Sequence, residues 1–176
     1  MRIIGGSHRR RIVEFPDAEG LRPTPDRVRE TLFNWLGQDL SGRRCLDLFA
    51  GSGALGMEAA SRGAARVVMV ERNRLVFRVL QENIKKLALP NMALHNEDGL
   101  EFAARCKEQF DVIFLDPPFQ SDYLPRLWSL MPRLLAPEGM LYVESGSAVE
   151  APQPWQVIKQ GKAGAVHYQL LKCGTE

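Results

Sequence analysis

The chain of 176 residues has few cysteines, no long apolar run and no large excess of charge of one sign. Its three cysteines lie far apart and form no CxxC pair, which argues against zinc or redox chemistry and indicates reduced thiols. No apolar run approaches the ~20 residues of a membrane span. The charged N-terminus is followed by no apolar stretch of the signal-peptide kind. We therefore expect a cytoplasmic protein with no metal and no membrane partner.

What the chain does contain is a regular alternation of apolar strands and helical patterns. Strands are predicted over 44–49, 66–71, 92–96, 112–116 and 140–144, and helices over 53–62, 73–88, 98–107 and 122–136. Such alternation is typical of an α/β protein with a mainly parallel sheet. Two more strands, over 155–160 and 166–172, are joined by a connection too short for a crossover, so they must form an antiparallel hairpin.

The N-terminal part is predicted to be an extension of this domain. Residues 1–23 contain two short apolar strands around a glycine turn. Thr24 then suits the N-cap of a helix and Pro25 its first position, and apolar residues follow at helical spacing. We therefore divide the chain into an extension of hairpin and helix over 1–40 and a main domain over 41–176.

Basic residues are concentrated in this extension, although the net charge is only +2. The candidates to contact phosphates are Arg9, Arg10, Arg11, Arg22 and Arg27. The alternative is a solvated terminus whose arginines bind nothing.

The most informative stretch is DLFAGSGALG, residues 47–56, which follows an apolar run and leads into a helix. Its glycines permit a tight turn and a close approach of a ligand to the backbone at Gly51 and Gly53. Alone, this pattern fits a dinucleotide site, a methyl-donor site or a plain turn. Glu71 ends the next strand twenty residues after Gly51, where a carboxylate can accept hydrogen bonds from both hydroxyls of an adenosine ribose.

Two carboxylates favour S-adenosylmethionine over NAD as the ligand of this loop. Asp47 lies just before the loop and would repel a diphosphate, whereas S-adenosylmethionine is cationic at its amine and its sulfonium. Asp98, after the third strand, is placed to reach the adenine amine. The alternatives are a structural acid at Asp47 and an N-cap at Asp98.

A second short motif, DPPF at residues 116–119, follows the strand VIFL and should lie beside the same ligand. Prolines remove backbone N–H groups, so the acceptors that remain are an oxygen of Asp116 and the carbonyl of Pro117. Two acceptors can hold both hydrogens of an –NH2 group and localise its lone pair for attack on a methyl group. Phe119 offers a face for stacking a planar base. The alternative is a strand-end turn with a core phenylalanine.

Longer motifs carry a resemblance over nearly the whole chain. They are MRIIGG at 1–6, RPTPDRVRETLFNWL at 22–36, DLFAGSGALGMEAASRGA at 47–64, VIFLDPPF at 112–119 and LYVES at 141–145. With these motifs the chain resembles bacterial 16S rRNA (guanine-N2)-methyltransferases of the RsmD type. The resemblance implies a Rossmann-like methyltransferase fold with a seven-stranded, mostly parallel sheet and a C-terminal antiparallel hairpin.

The same resemblance implies the reaction and the site. The donor would be S-adenosylmethionine, and the acceptor a guanine 2-amino group of 16S rRNA within an assembled or assembling small ribosomal subunit. Donor binding is implied for Asp47, Gly51, Gly53 and Glu71, with Asp98 near the adenine, and base binding for Asp116, Pro117 and Phe119. The chain departs from the family at Arg10, where relatives often have glycine.

Three other functions stay open at this point. The same acceptor pair could serve adenine N6 in nucleic acid or a glutamine side chain in protein. A nucleotide-binding ribosome assembly factor without catalysis would need no DPPF motif. An NAD-dependent oxidoreductase is disfavoured by Asp47.

Overall fold

Seven strands and six α-helices nearly alternate in the computed structural model, which describes residues 1–16, 21, 23–118 and 122–174. The strands are β1 (Arg44–Asp47), β2 (Arg66–Val70), β3 (Met92–His95), β4 (Phe110–Leu115), β5 (Leu135–Ser145), β6 (Trp155–Ala163) and β7 (Val166–Cys173). The helices are α1 (Asp26–Trp35), α2 (Ala54–Ser61), α3 (Arg74–Leu87), α4 (Gly99–Arg105), α5 (Tyr123–Leu127) and α6 (Met131–Leu134).

All seven strands form one sheet in the order β3-β2-β1-β4-β5-β7-β6. β1 to β5 pair in parallel, β7 is antiparallel to β5, and β6 is antiparallel to β7. The predicted fold class is therefore confirmed. The strand order reverses between β1 and β4, and in open α/β sheets ligands bind beyond the carboxyl ends of the strands at such a point.

The helical prediction over 122–136 was wrong in extent. Two short helices, α5 and α6, occupy this stretch, and β5 already begins at Leu135. Leu135 pairs with Phe110 on β4, so strand pairing overrides the local helical pattern. The two N-terminal strands are likewise reduced to a single antiparallel bridge between Arg2 and Ile12.

The first helix begins one residue later than predicted, at Asp26, with Pro25 at the N-cap position. Thr24 makes no cap, because its hydroxyl donates instead to the buried carboxyl group of Glu144. A tertiary partner has here replaced the local hydrogen bond that the sequence pattern favours.

Apolar side chains cover both faces of the sheet in two buried clusters. The N-terminal forty residues contribute to the first of them, with Ile3, Val13, Val28 and Leu32 at most 1% exposed. They therefore share a core with the sheet, and the division at residue 40 stays a prediction.

Candidate active site at the carboxyl ends of the strands

The glycine loop joins the end of β1 to the start of α2. Gly53 has φ +83°, and a Cβ built on it would lie 2.6 Å from side-chain carbons of Leu80 and Met57. Any other residue would therefore be strained and would displace its neighbours. Gly51 also has a positive φ of +54°, so the loop turns sharply at the end of β1.

Asp47 lies at the base of this loop and is 2% exposed. Its Oδ2 accepts a hydrogen bond of 3.1 Å from the backbone N–H of Gly56, which ties the end of β1 to the first turn of α2. Burial raises the pKa of Asp47 to about 7, and the neighbouring carboxyl groups of Glu144 and Glu71 add to the effect. A cation beside Asp47 would relieve this cost of burying charge.

Glu71 follows β2 and holds the loop from the other side. Its Oε1 accepts from the N–H of Gly51 at 2.9 Å, and its Oε2 accepts from the N–H of Asn73 at 2.7 Å. Each carboxylate oxygen has a second lone pair, so both can still accept a hydroxyl group of a ligand. The structure thus brings Glu71 to the glycine loop, and its contact with a ribose stays a prediction.

Asp98 follows β3 and caps α4, because its Oδ2 accepts from the N–H of Glu101 at 3.2 Å. Its Oδ1 accepts from the hydroxyl of Tyr123 at 2.8 Å, and this hydrogen bond raises the pKa of Tyr123. The ring of Tyr123 also contacts Phe49 of the glycine loop edge-on, at 5.3 Å between centroids. Capping does not exclude adenine binding, which stays a prediction for Asp98.

Asp116 and Pro117 come directly after β4, on the other side of the point where the strand order reverses. Pro117 is buried, and Asp116 is half-buried with its carboxyl group hydrogen-bonded to that of Glu144. Loss of solvent and the nearby carboxyl groups of Glu144 and Asp47 raise the pKa of Asp116 well above its usual range. Phe119 lies outside the described residues.

Glu144, near the end of β5, was not predicted as a site residue. It is 3% exposed, and its Oε1 accepts from the hydroxyls of Tyr142 at 2.7 Å and Thr24 at 3.0 Å. The available signal was a carboxylate at the end of an otherwise apolar strand, in the same position that Glu71 has after β2. Asp47, Asp116 and Glu144 together form what we call the carboxyl cluster.

The structure describes four of the five arginines that are predicted to contact RNA. Arg9, Arg10 and Arg11 are exposed in the N-terminal turn, and Arg27 is exposed in the first turn of α1. Arg10 has φ +72°, a left-handed conformation that favours glycine, so the turn is kept although the glycine is absent. Arg22 lies outside the described residues.

The N-terminal segment is anchored to α2 by Glu58, a second residue that sequence reasoning missed. Glu58 is fully buried and accepts from the N–H groups of Ile4 and Gly5, each at 2.9 Å. Its charge is balanced by Arg29 at 3.2 Å and Arg62 at 2.9 Å. The signal was a single acid within the apolar helix ALGMEAAS. The MRIIGG motif is therefore at least partly structural.

Neither a metal centre nor a membrane span appears in the part of the chain that the structure describes. No three His, Cys, Asp or Glu side chains there are grouped so that they could hold a metal ion. The longest described helix, α3, has 14 residues, and none is long and apolar enough to cross a bilayer.

Comparison with known proteins identifies relatives along the whole chain. Residues 1–172 match the family model described as conserved hypothetical protein 95. Ribosomal RNA small subunit methyltransferase D of Escherichia coli K12 is 42% identical, with 98% of this chain and 89% of that protein covered. The protein of the same name from Haemophilus influenzae is 39% identical, with 98% and 93% covered.

Several solved structures are similar to this chain over nearly its whole length. The structure of yhhF from Escherichia coli has a TM-score of 0.90 at 40% identity. The match covers 100% of this chain and 99% of the yhhF chain. A hypothetical protein from Thermus thermophilus has a TM-score of 0.83 at 29% identity, with 99% of each chain covered. Precorrin-6y C5,15-methyltransferase from Geobacter metallireducens, at 19% identity and a TM-score of 0.70, shares the fold.

Proposed function

This chain belongs to the conserved hypothetical protein 95 family and is a methyltransferase, and from that premise we propose that it methylates the N2 amine of a guanine in 16S rRNA, with S-adenosylmethionine as donor. Its proposed partner is the small ribosomal subunit, assembled or assembling, which would place the reaction in the cytoplasm.

The carboxyl cluster is the observation that carries this proposal. Three neighbouring strands deliver Asp47, Asp116 and Glu144 to one edge of the sheet. Glu144 raises the pKa of both Asp47 and Asp116, and Asp47 raises that of Asp116 as well. None of the three forms an ion pair with a lysine or arginine among the described residues. Such a site suits a ligand that brings positive charge, as S-adenosylmethionine does, and opposes a diphosphate.

Each side chain at this edge has a distinct proposed role. When bound, S-adenosylmethionine supplies an electrophilic methyl group. Asp47 balances positive charge, the backbone at Gly51 and Gly53 permits close approach, and Glu71 accepts from the ribose. Asp98 is proposed to lie near the adenine.

The target amine is bound on the other side of the point where the strand order reverses, beyond the end of β4. Asp116 and the carbonyl of Pro117 accept its two hydrogens, and Phe119 stacks on the base. The lone pair that this geometry localises would form the new N–C bond while the methyl carbon leaves the donor sulfur, which keeps the bonding electron pair. The nitrogen would then lose one proton to solvent. The named relatives act on ribosomal RNA, which supports a base over a glutamine side chain as the acceptor, and the choice of guanine rests on the motif resemblance.

Recognition of the RNA is proposed for the exposed arginines of the N-terminal turn, Arg9, Arg10 and Arg11, together with Arg22 and Arg27. These guanidinium groups can neutralise phosphates that approach beside the amine site.

The test uses small ribosomal subunits and naked 16S rRNA from cells that lack the protein. Each is incubated with the purified protein and methyl-labelled S-adenosylmethionine, and the RNA is digested to nucleosides for mass analysis. We expect label in N2-methylguanosine, with more on subunits than on naked RNA. Label in N6-methyladenosine, or none in either RNA, would overturn the proposal. Asp116→Ala is the negative control.

A further inference from the structure

Glu144 stands next to Asp116 because their strands are neighbours in register. Leu115 on β4 pairs with Val143 on β5, so Asp116, which directly follows β4, lies level with Glu144 of β5. Their side chains are hydrogen-bonded to each other. Two carboxyl groups can make such a contact only when one of them carries a proton, since two carboxylates offer acceptors alone.

The hydrogen bonds around Glu144 decide how this proton is oriented. Oε1 of Glu144 already accepts two hydroxyl protons, from Thr24 and Tyr142. Two donors on one oxygen favour the ionised form of Glu144, which leaves the proton to Asp116. Thr24 is itself held in place, because its carbonyl oxygen accepts from Nε of the buried Arg29 at 3.1 Å.

We propose that Glu144 is a positioning residue that holds the carboxyl group of Asp116 through one shared proton. One oxygen of Asp116 is thereby turned toward β5, and the other is left to accept a hydrogen bond from the substrate amine. This inference rests on the proposed role of Asp116 as an acceptor for the amine. It also gives a function to the RPTP motif, whose threonine fixes Glu144.

The inference predicts which substitutions at Asp116 are tolerated. A protonated carboxyl group offers one O–H donor and one carbonyl acceptor, and the side chain of asparagine offers the same two functions. Asp116→Asn can therefore donate to Glu144 and accept from the amine. We expect it to keep far more activity than Asp116→Ala, by on the order of tenfold or more.

Substitutions of Glu144 separate positioning from folding. Glu144→Ala leaves Asp116 unheld, so we expect kcat to fall on the order of ten- to a hundredfold while donor affinity stays within about twofold. Glu144→Gln keeps the acceptor oxygen for Thr24 and Tyr142 and directs an amide N–H at Asp116. It should recover most of the lost rate. Glu138→Gln is the matched control, because Glu138 is an exposed acid on the same strand.

The pH profile of kcat is a readout that a merely structural role would not move. In the parent, the shared proton is lost as pH rises through the raised pKa of the pair, and the two carboxylates then repel each other. Groups facing the pair are Asp47 on β1, Tyr142 on β5 and Tyr168 on β7. An amide proton does not titrate, so Glu144→Gln should lose this alkaline decline.

The outcomes distinguish this inference from the proposed function. If Asp116→Ala is inactive but both Glu144 variants match the parent in rate and pH profile, the positioning role is wrong and the acceptor role of Asp116 stands. If Asp116→Ala itself turns over normally, the proposed function of the site fails.

Discussion

The two ends of the central strands place carboxyl groups in opposite electrostatic settings. At the amino ends, Glu108 is bonded to Arg44 at 2.7 Å and to Arg66 at 2.8 and 2.9 Å, and the hydrogen bonds from Arg66 lower its pKa. At the carboxyl ends, the buried Asp47 and the half-buried Asp116 lie beside other acids, and their pKa values are raised. The acid at one end pairs with arginines, whereas no acid of the carboxyl cluster pairs with a lysine or arginine among the described residues.

Glu58 shows that a buried carboxyl group can still have arginine partners, so burial alone does not explain the contrast between the two ends. It is at least as buried as any member of the carboxyl cluster, yet Arg29 and Arg62 balance its charge. This buried acid, with its arginine partners, fixes the N-terminal segment in place. The acids of the carboxyl cluster have no such partners among the described residues, and their perturbed pKa values are typical of functional sites.

The largest effect is expected from Asp116→Ala. Loss of an acceptor that acts on the amine should lower the single-turnover methylation rate on the order of 10²–10³-fold while donor binding survives. Rapid-quench methylation and donor calorimetry on the same preparation measure the two quantities. Turnover near that of the parent would remove Asp116 from the site.

Asp47→Asn tests how far the buried carboxyl group of Asp47, at the carboxyl ends of the strands, lowers folding stability. The pKa of Asp47 is about 7 in the folded chain and near 4 when unfolded, so the unfolded chain alone loses this proton as pH rises between these values. Folding stability without ligand should therefore fall across pH 4–7, by at most about 4 kcal/mol from this group. Asparagine still accepts from Gly56 but cannot titrate, and it should flatten the decline in urea unfolding. If the free energy of unfolding fell equally with pH in parent and variant, the contrast between the two ends of the strands would be contradicted.

Glu71→Ala should weaken donor binding more than chemistry. Hydrogen bonds to a charged acceptor contribute roughly 1.5–3 kcal/mol each, so the dissociation constant should rise about tenfold or more. Glu82→Ala, at an exposed acid on α3, is the control. Calorimetry that finds unchanged affinity would place the ribose elsewhere.

Replacing Arg9, Arg10 and Arg11 by alanine tests whether the exposed arginines of the N-terminal turn bind the RNA. For every phosphate that the variant no longer neutralises, the slope of log affinity against log salt should fall by about 0.7–0.9, with donor binding intact. A variant that removes Lys107, Lys159 and Lys162 loses the same charge from other exposed positions. Equal slopes in the two variants would show that only total charge matters.

The smallest effect on stability is expected at the amino ends of the strands, where Glu108 pairs with arginines. The pKa of Glu108 is lowered, so its contribution is present at neutral pH and is lost as pH falls through the folded value. Its side chain is 38% exposed, and solvent screening limits Glu108→Gln to about 1 kcal/mol or less at pH 7. This loss should vanish in acid unfolding experiments, the reverse of the pH dependence expected for Asp47.

Local patterns were sufficient to predict the sheet, the glycine loop and the position of DPPF. Strand alternation and the turn at Gly53 are decided by residues within a few positions of each other. Thr24 shows where such reasoning fails, since its local pattern is that of an N-cap and its actual partner is Glu144. Glu58 and Glu144 were missed because each belongs to an apolar element, and only tertiary neighbours give it a role.

The hydrogen bond between Thr24 and Glu144 joins residues 120 positions apart, and that between His8 and Leu87 joins residues 79 apart. The contact of Thr24 can therefore form only after the chain through β5 has been synthesised. A nascent chain can pair β1 with β2 and bind Ile4 and Gly5 to Glu58 early, but Thr24 cannot reach its partner until β5 has emerged. Folding of the proposed amine-binding edge is thus delayed until β5 is available, and a chain that stops before Glu144 lacks the proposed contact with Asp116.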